Sequence, residues 1–314
     1  MIVIFDLEGP LSPLDHAAEA MRVIGKKLGR DDFFEFFKML SLYDDILVEE
    51  GKENYNPGDT LRLIAPIIST HLSNEELVEI SKKAALTPGA LEIVNLVGVE
   101  DVYVASTSYQ QHAFTIGERL GLKKEHIYCT HLPTFQEFPY LHDLLSIFEK
   151  WKEKGFKVVK TELDKIFWRE MEQKFLSTKV CGGRVKEEVV EKVARERNVK
   201  MRELIVVGDS ITDIHMLGRV AKEGGIAVSF NGNAYSTKAA NLAVSSKTLL
   251  SLQPIIENFP HIWDKIEEWN ERAGGEAHYD DLRGIKEGEK EWEKIVERQK
   301  KFRTMLRKEY GELT

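Results

Sequence analysis

With 314 residues, 42% of them hydrophobic and 31% charged, the chain is long enough to bury a real core as one large domain or as a core with additions. Its 44 basic residues against 52 acidic ones leave a formal charge of −8, which argues against a general binder of nucleic acid or membrane surfaces. No apolar run reaches about 18 residues, the N-terminus lacks the basic start and apolar stretch of a signal peptide, and two cysteines are too few for a disulfide framework, so a cytoplasmic protein is expected. The abundance of Glu and Lys suits a thermophile.

The chain opens on "MIVIFDL" (1–7), a nearly continuous apolar run of the kind that forms a buried parallel strand. It ends on Asp6 and Glu8 and breaks at once at Gly9-Pro10. Residues 13–86 read as mostly helical, with "DHAAEAMRVIGKKLG", "DDFFEFFKMLSLYDDILVEEG" and "NEELVEISKKAAL". Phe33, Phe34, Phe36 and Phe37 are expected to fill the core of that segment. "DVYVAS" (101–106) is a second strand, ending at Ser106-Thr107-Ser108, and "HIYCT" (126–130) a third. His126, Cys129 and His131 lack a fourth ligand at zinc spacing.

Residues 133–180 form an insertion: a helix, a short "FKVVK" run, then a helix from Thr161 carrying Leu163, Phe167, Met171 and Phe175 at four-residue spacing. That apolar stripe must pack on something, its own core in the simplest case. Lys186 lies near the start of the helix "RVKEEVVEKVARERNV". "ELIVVGD" (203–209) is a strand ending at Gly208-Asp209-Ser210, with Asp213 four residues after Asp209, and "GIAVSF" (225–230) another strand. The tail is densely charged, with Trp292, Ile295, Phe302 and Leu306 at helical spacing. This seam of about two heptads raises the expectation of a homo-oligomer through the C-terminal extension.

Strands alternating with helices imply right-handed crossovers and a doubly wound, mostly parallel α/β sheet, with ligands bound at the carboxyl ends of the strands. Taken singly, each polar strand end is an ordinary cap or turn residue. Taken together they converge, and two carboxylates at ~4 Å repel by about 4 kcal/mol at an effective dielectric near 20. A cation must offset this. Oxygen-only ligands point to a hard ion that retains water and binds phosphate, magnesium in preference to zinc. With the Ser106 hydroxyl and the compact charge of Lys186, the cluster makes a phosphoryl-binding site. No G-x-G-x-x-G follows the first strand, which argues against a dinucleotide-binding dehydrogenase.

"FDLEGPL", "VYVASTS", Lys186 in "RVKEEVV" and "VVGDSITD" resemble, in order, the four signatures of the haloacid dehalogenase superfamily, most of whose members are magnesium-dependent phosphatases. The resemblance implies a Rossmann-like core with a helical cap. It makes Asp6 the nucleophile and Glu8, in place of the usual aspartate, the general acid and base. Ser106 and Lys186 would bind the phosphoryl group. Asp6, the Glu8 backbone and Asp209 would hold Mg2+, with Asp213 a further ligand or a support behind it. "TPGALEIV" resembles the return from the cap in phosphoserine-phosphatase-like members. The implied division is a core of 1–12, 87–132 and 181–250, a helical cap of 13–86, an α/β insertion of 133–180 and a charged helical extension of 251–314. Asp15 and Arg62 are the substrate candidates, facing an amine and a carboxylate.

The implied function is hydrolysis of a small phosphorylated metabolite through an aspartyl-phosphate. Asp-x-Glu also occurs in a phosphotransferase of this superfamily, so transfer to an alcohol is the alternative. A non-catalytic subunit of a larger assembly is the other.

Overall fold

The computed structural model describes residues 1–171 and 178–310, with only the backbone of Glu170 and Met171. In chain order the elements are β1 (Ile2–Phe5), α1 (His16–Lys27), α2 (Phe33–Glu49), α3 (Leu61–His71), α4 (Asn74–Lys83), α5 (Ala90–Val97), β2 (Val102–Tyr109), α6 (Gln110–Arg119), β3 (Ile127–Thr130), α7 (Leu141–Lys154) and α8 (Phe156–Met171). They continue with α9 (Arg184–Glu196), β4 (Leu204–Gly208), α10 (Ile214–Lys222), β5 (Ile226–Phe230), α11 (Ala234–Ala239), β6 (Leu242–Ser246), α12 (Gln253–Asn258), α13 (Ile266–Ala273), β7 (Ala277–Asp281) and α14 (Lys290–Tyr310).

Among the described residues, seven strands form one sheet in the order β3-β2-β1-β4-β5-β6-β7. The first six run parallel and β7 pairs antiparallel with β6, Val244 opposite Tyr279. The strand order reverses around β1, which sits between β2 and β4, and a doubly wound sheet opens a ligand crevice at such a point. The apolar runs are continuous because each strand is covered on both faces. Val3 and Phe5 face one core, shared with α5 and α6, while Ile2 and Ile4 face another, filled by Val189, Val190 and Val193 of α9 and Met216, Leu217 and Val220 of α10.

Helices α1 to α4 leave the core after β1 and return before α5. The two crossings are tied side by side, the Ser12 hydroxyl donating to the Ala85 carbonyl at 2.8 Å and the Thr87 N–H to Leu11 at 2.9 Å. Within this unit Phe33 and Phe36 are core residues as expected, but Phe37 reaches the edge of a cavity. The insertion differs from its expectation. "FKVVK" is the first turn of α8, so the described insertion is helical, not α/β. Val159, Leu163 and Phe167 are all buried and lie four residues apart, so the stripe starts at Val159, a turn before Leu163. It docks on the cap: Phe167 meets Tyr43 of α2 edge-on at 5.8 Å, and Phe148 of α7 meets Phe36 at 5.4 Å. Phe175 and the side chain of Met171 lie outside the described residues.

The tail also departs from a purely helical extension, since it supplies β7 as well as α14. Ile295, Phe302 and Leu306 are buried within the chain, where the seam lies along β6 and β7. Among the described residues, no helix is long and apolar enough to cross a membrane.

One buried pair joins α1 to the core. The rings of His16 and His112 stack with centroids 4.7 Å apart. His16 Nε2 lies 3.1 Å from the Leu77 carbonyl, while neither ring nitrogen of His112 has a hydrogen-bond partner among the described residues. Burial holds His16 down to about 4 and His112 well below the ordinary histidine value. In the unfolded chain both would protonate near 6.5, so below that pH the unfolded state binds protons that the folded state refuses. We expect stability to fall as the pH drops from about 6.5 to about 4, by on the order of 3 kcal/mol from His16 alone. Urea midpoints measured across this range for the protein and for His112→Phe check this. A variant with the same acid slope would remove His112 from the account.

Candidate active site

Asp6 follows β1 and its N–H donates to the Val207 carbonyl of β4 at 2.8 Å, which locks the first carboxylate to the neighbouring strand end. Asp209 follows β4. Asp6, Asp209 and Asp213 are all buried, and each offers a carboxylate oxygen within 4.8 Å of the others. Lys186 is fully buried between two of them, with Nζ 2.9 Å from Asp6 Oδ2 and 2.6 Å from Asp213 Oδ1. Burial opposes its charge, but Asp213 and Asp6 outweigh that and hold the ammonium above its ordinary value. Burial, then Asp213, lifts Asp6 above the carboxylate range, against the pull of Lys186. The start of α9 that carries Lys186 is itself fixed. Asn56 accepts from the Arg184 N–H and donates to the Gly182 carbonyl, both at 2.7 Å, and the Gly183 N–H donates to Thr212 at 2.8 Å.

Asp213 is spoken for on both oxygens. Oδ2 accepts the N–H groups of Asp209 (2.8 Å) and Ser210 (2.9 Å), and Oδ1 meets Lys186, so it shapes the loop around Asp209, while Asp6 accepts the Leu7 N–H on Oδ1 at 2.7 Å and meets Lys186 on Oδ2. The donor set fits a hard divalent cation. Asp209 Oδ2 is buried and accepts no aligned hydrogen bond among the described residues, though an arginine stands at ion-pair distance, and it lies where a Cβ on residue 9 would be. Gly9 has φ of +100°, and an added Cβ would come within 2.5 Å of that oxygen.

Glu8 stands on the rim. Its Oε1 accepts the Ser108 hydroxyl at 2.7 Å and the His16 N–H at 3.1 Å. Burial, then the nearby charge of Asp15, pushes its carboxyl up to about 8, which favours its neutral form. The cavity beside it has a volume of about 310 Å³ and is shared by core and cap: Asp6, Glu8, Thr107 and Ser108 on one side, Phe37, Ser41, Asp45, Gly58 and Thr60 on the other. Asp44, buried in α2, holds the cap loop in place by accepting from the Tyr55 hydroxyl, the Gly58 N–H (2.9 Å) and the Thr60 hydroxyl (3.3 Å).

Two residues that sequence reasoning missed come from the tail. Arg303 Nη1 donates to the Asp209 carbonyl at 2.9 Å while its Nη2 stands 2.9 Å from Asp209 Oδ2, and Arg307 Nη2 lies 3.7 Å from the same oxygen. Both line the cavity. They are aimed by Gln299, one and two turns earlier on α14, which is fully buried, accepts the Gly232 N–H and donates to the Ser245 hydroxyl at 2.8 Å. A polar residue within the Ile295, Phe302, Leu306 stripe was the available signal.

The structure thus brings together Asp6, Glu8, Lys186, Asp209 and Asp213, and places Asp15 on the same cavity, where its Oδ1 also caps α1 by accepting the Ala18 N–H at 3.0 Å. Ser106, like Lys186, is fully buried, and its hydroxyl accepts the Ser108 N–H at 3.2 Å, while Thr107 and Ser108 line the cavity. One substrate candidate lies elsewhere. Arg62 points away from the cavity: it pairs with Asp59 at 3.2 Å and lines a separate hollow with Arg184 and Lys179, because the loop that presents Gly58 and Thr60 inward turns the next helical face outward.

No protein-family model and no curated protein matches the sequence. Among solved structures, a gene product of Archaeoglobus fulgidus is similar over 99% of this chain and 98% of its own, at 26% identity and a TM-score of 0.79. A phospho-aspartyl intermediate analogue of phosphoserine phosphatase and a substrate-bound phosphoserine phosphatase each superpose at a TM-score of 0.51 with 18% identity, over 80% of this chain and 96% and 95% of theirs. The chain therefore shares the fold of those phosphoserine phosphatases, a doubly wound, mostly parallel sheet with a helical unit, α1 to α4, inserted after β1.

Gly9 gives a direct test of the packed carboxylates. We expect Gly9→Ala to cost on the order of 1 to 3 kcal/mol, because it strains a positive φ and presses a methyl group into Asp209. Urea denaturation measures it. An unchanged midpoint would show that Asp209 swings aside freely.

Proposed function

We propose that this chain is a cytoplasmic, magnesium-dependent phosphatase acting on a small phosphorylated metabolite. The observation that carries this reading is the pairing at one site of Asp6, held by Lys186, with Glu8, held by the Ser108 hydroxyl and the His16 N–H. Asp6 attacks phosphorus as the ester P–O bond breaks, and Glu8 gives its proton to the leaving oxygen. Water then attacks the aspartyl-phosphate, Glu8 takes the proton that water loses, and Asp6 leaves as a carboxylate. Lys186 stands beside Asp6 with its charge toward the transferring group. Asp6, the Glu8 carbonyl and Asp209 would hold Mg2+, with Asp213 behind them, and the bound ion supplies positive charge against the phosphoryl oxygens. The cap residues around the cavity exclude bulk water and limit substrate size.

Phosphate release from small esters with and without Mg2+ tests the reading. Asp6→Asn keeps the shape of the nucleophile but not its charge. We expect it to lower the rate at least about 10³-fold with the fold retained by circular dichroism. Turnover at the parent rate would exclude the mechanism.

The role of Glu8 is separable from that of Asp6. Glu8→Gln should slow alkyl phosphates far more than aryl phosphates, whose leaving groups need little protonation, and Glu8→Asp should restore part of the loss. Steady-state assays at saturating Mg2+ compare the two substrate classes. An equal loss on both would make Glu8 a structural residue.

A further inference from the structure

The two guanidinium groups of α14 stand over one carboxylate, Asp209, in a cavity that Asp15 and Asp45 also line. Arg303 spends its aligned hydrogen bond on the backbone carbonyl of Asp209, not on the carboxylate. Arg307 lies farther from that carboxylate, at 3.7 Å, and its Nε is buried with no hydrogen-bond partner among the described residues. Two adjacent cations thus share one carboxylate, which is itself a candidate ligand for a divalent ion. A buried donor left in this condition calls for an acceptor.

Position shows where that acceptor comes from. Arg307 lines both the catalytic cavity and a second hollow of about 620 Å³ between α1, α2 and α14, and Asp15, Phe37, Ser41 and Asp45 also line both. The two spaces therefore adjoin, with Arg307 between them. A molecule whose phosphoryl group lies against Asp6 and Lys186 would place its other end beside Arg307. The arginine of the cap that might have met a second anionic group, Arg62, faces elsewhere.

We propose that Arg307, supported by Arg303, is a specificity-determining anion site, and that the substrate is a phosphate monoester bearing a second anionic group, a carboxylate or another phosphate. This rests on the phosphatase reading for the position of the first phosphoryl group. Arginine suits the task because its planar fork takes two oxygens of either anion at once.

Calorimetry on Asp6→Asn with Mg2+ present tests binding without turnover, using three probes: glycerol 3-phosphate, 3-phosphoglycerate and 1,3-propanediol bisphosphate. The expected result is that at least one doubly anionic probe binds roughly tenfold or more tightly than glycerol 3-phosphate, and that adding Arg307→Gln reduces this preference to about threefold or less. Arg307→Lys should retain part of it. The tighter of the two doubly anionic probes identifies the second group. Affinities for all three within about threefold, a preference that survives Arg307→Gln, or no binding of any probe would overturn the proposal. Failure of the phosphatase reading is seen separately, as no phosphate release from any ester by the unsubstituted protein, and an Arg307-dependent preference would stand despite it.

Discussion

The site depends on a single buried ammonium. Asp6, Asp209 and Asp213 are brought together at the ends of two adjacent strands, and without a cation each close pair would repel by several kcal/mol in a site that holds little water. Lys186 resolves this for Asp6 and Asp213, and leaving either carboxylate buried and unpaired would cost on the order of 3 to 5 kcal/mol. Much of the surrounding fold serves to hold that ammonium at its station. The cap loop pins the start of α9 through Asn56, the β4 loop pins it through Thr212, and the apolar face of the helix lies on the sheet through Val189, Val190 and Val193.

The cap is not a separate lid laid over a finished core. It contributes Asn56 to the placement of Lys186, His16 to the placement of Glu8, and Gly58 and Thr60 to the cavity wall. The insertion acts one step further out, since α7 and α8 brace α2 through aromatic contacts with Phe36 and Tyr43. Substrate selection and chemistry therefore share residues, and a change in one is felt in the other.

What could be read from sequence divides along physical lines. Strands buried on both faces announce themselves as apolar runs, so β1, β2, β3, β4 and β5 and the polar residues at their ends were legible, and with them Asp6, Glu8, Lys186, Asp209 and Asp213. β7, "AHYDD", was hidden because an edge strand with one exposed face carries no such run. "FKVVK" misled in the opposite direction: its β-branched residues suit a strand, but Val159 continues the four-residue spacing of Leu163 and Phe167, and packing overrode local preference. Arg62 shows the limit of spacing alone, which places a residue near a site but not on which side of a loop it emerges. Arg303 and Arg307 were invisible because every basic residue of "ERQKKFRTMLRKEY" is equivalent until the buried Gln299 sets the rotation of the helix.

The placement of α14 along β6 and over the loop that follows β4 also bears on assembly. Arg303 lies far along the chain from Asp6 and well beyond Asp209, so the contact between α14 and Asp209 joins segments that are distant in sequence. Such wide separation in the chain makes the central contacts slow to form, since most of the polypeptide must be ordered before they close. Asp6 and Asp213 have Lys186, whereas the ion-pair partners of Asp209 among the described residues both lie on α14, so the counter-charge of Asp209 is complete only when that helix closes on the sheet.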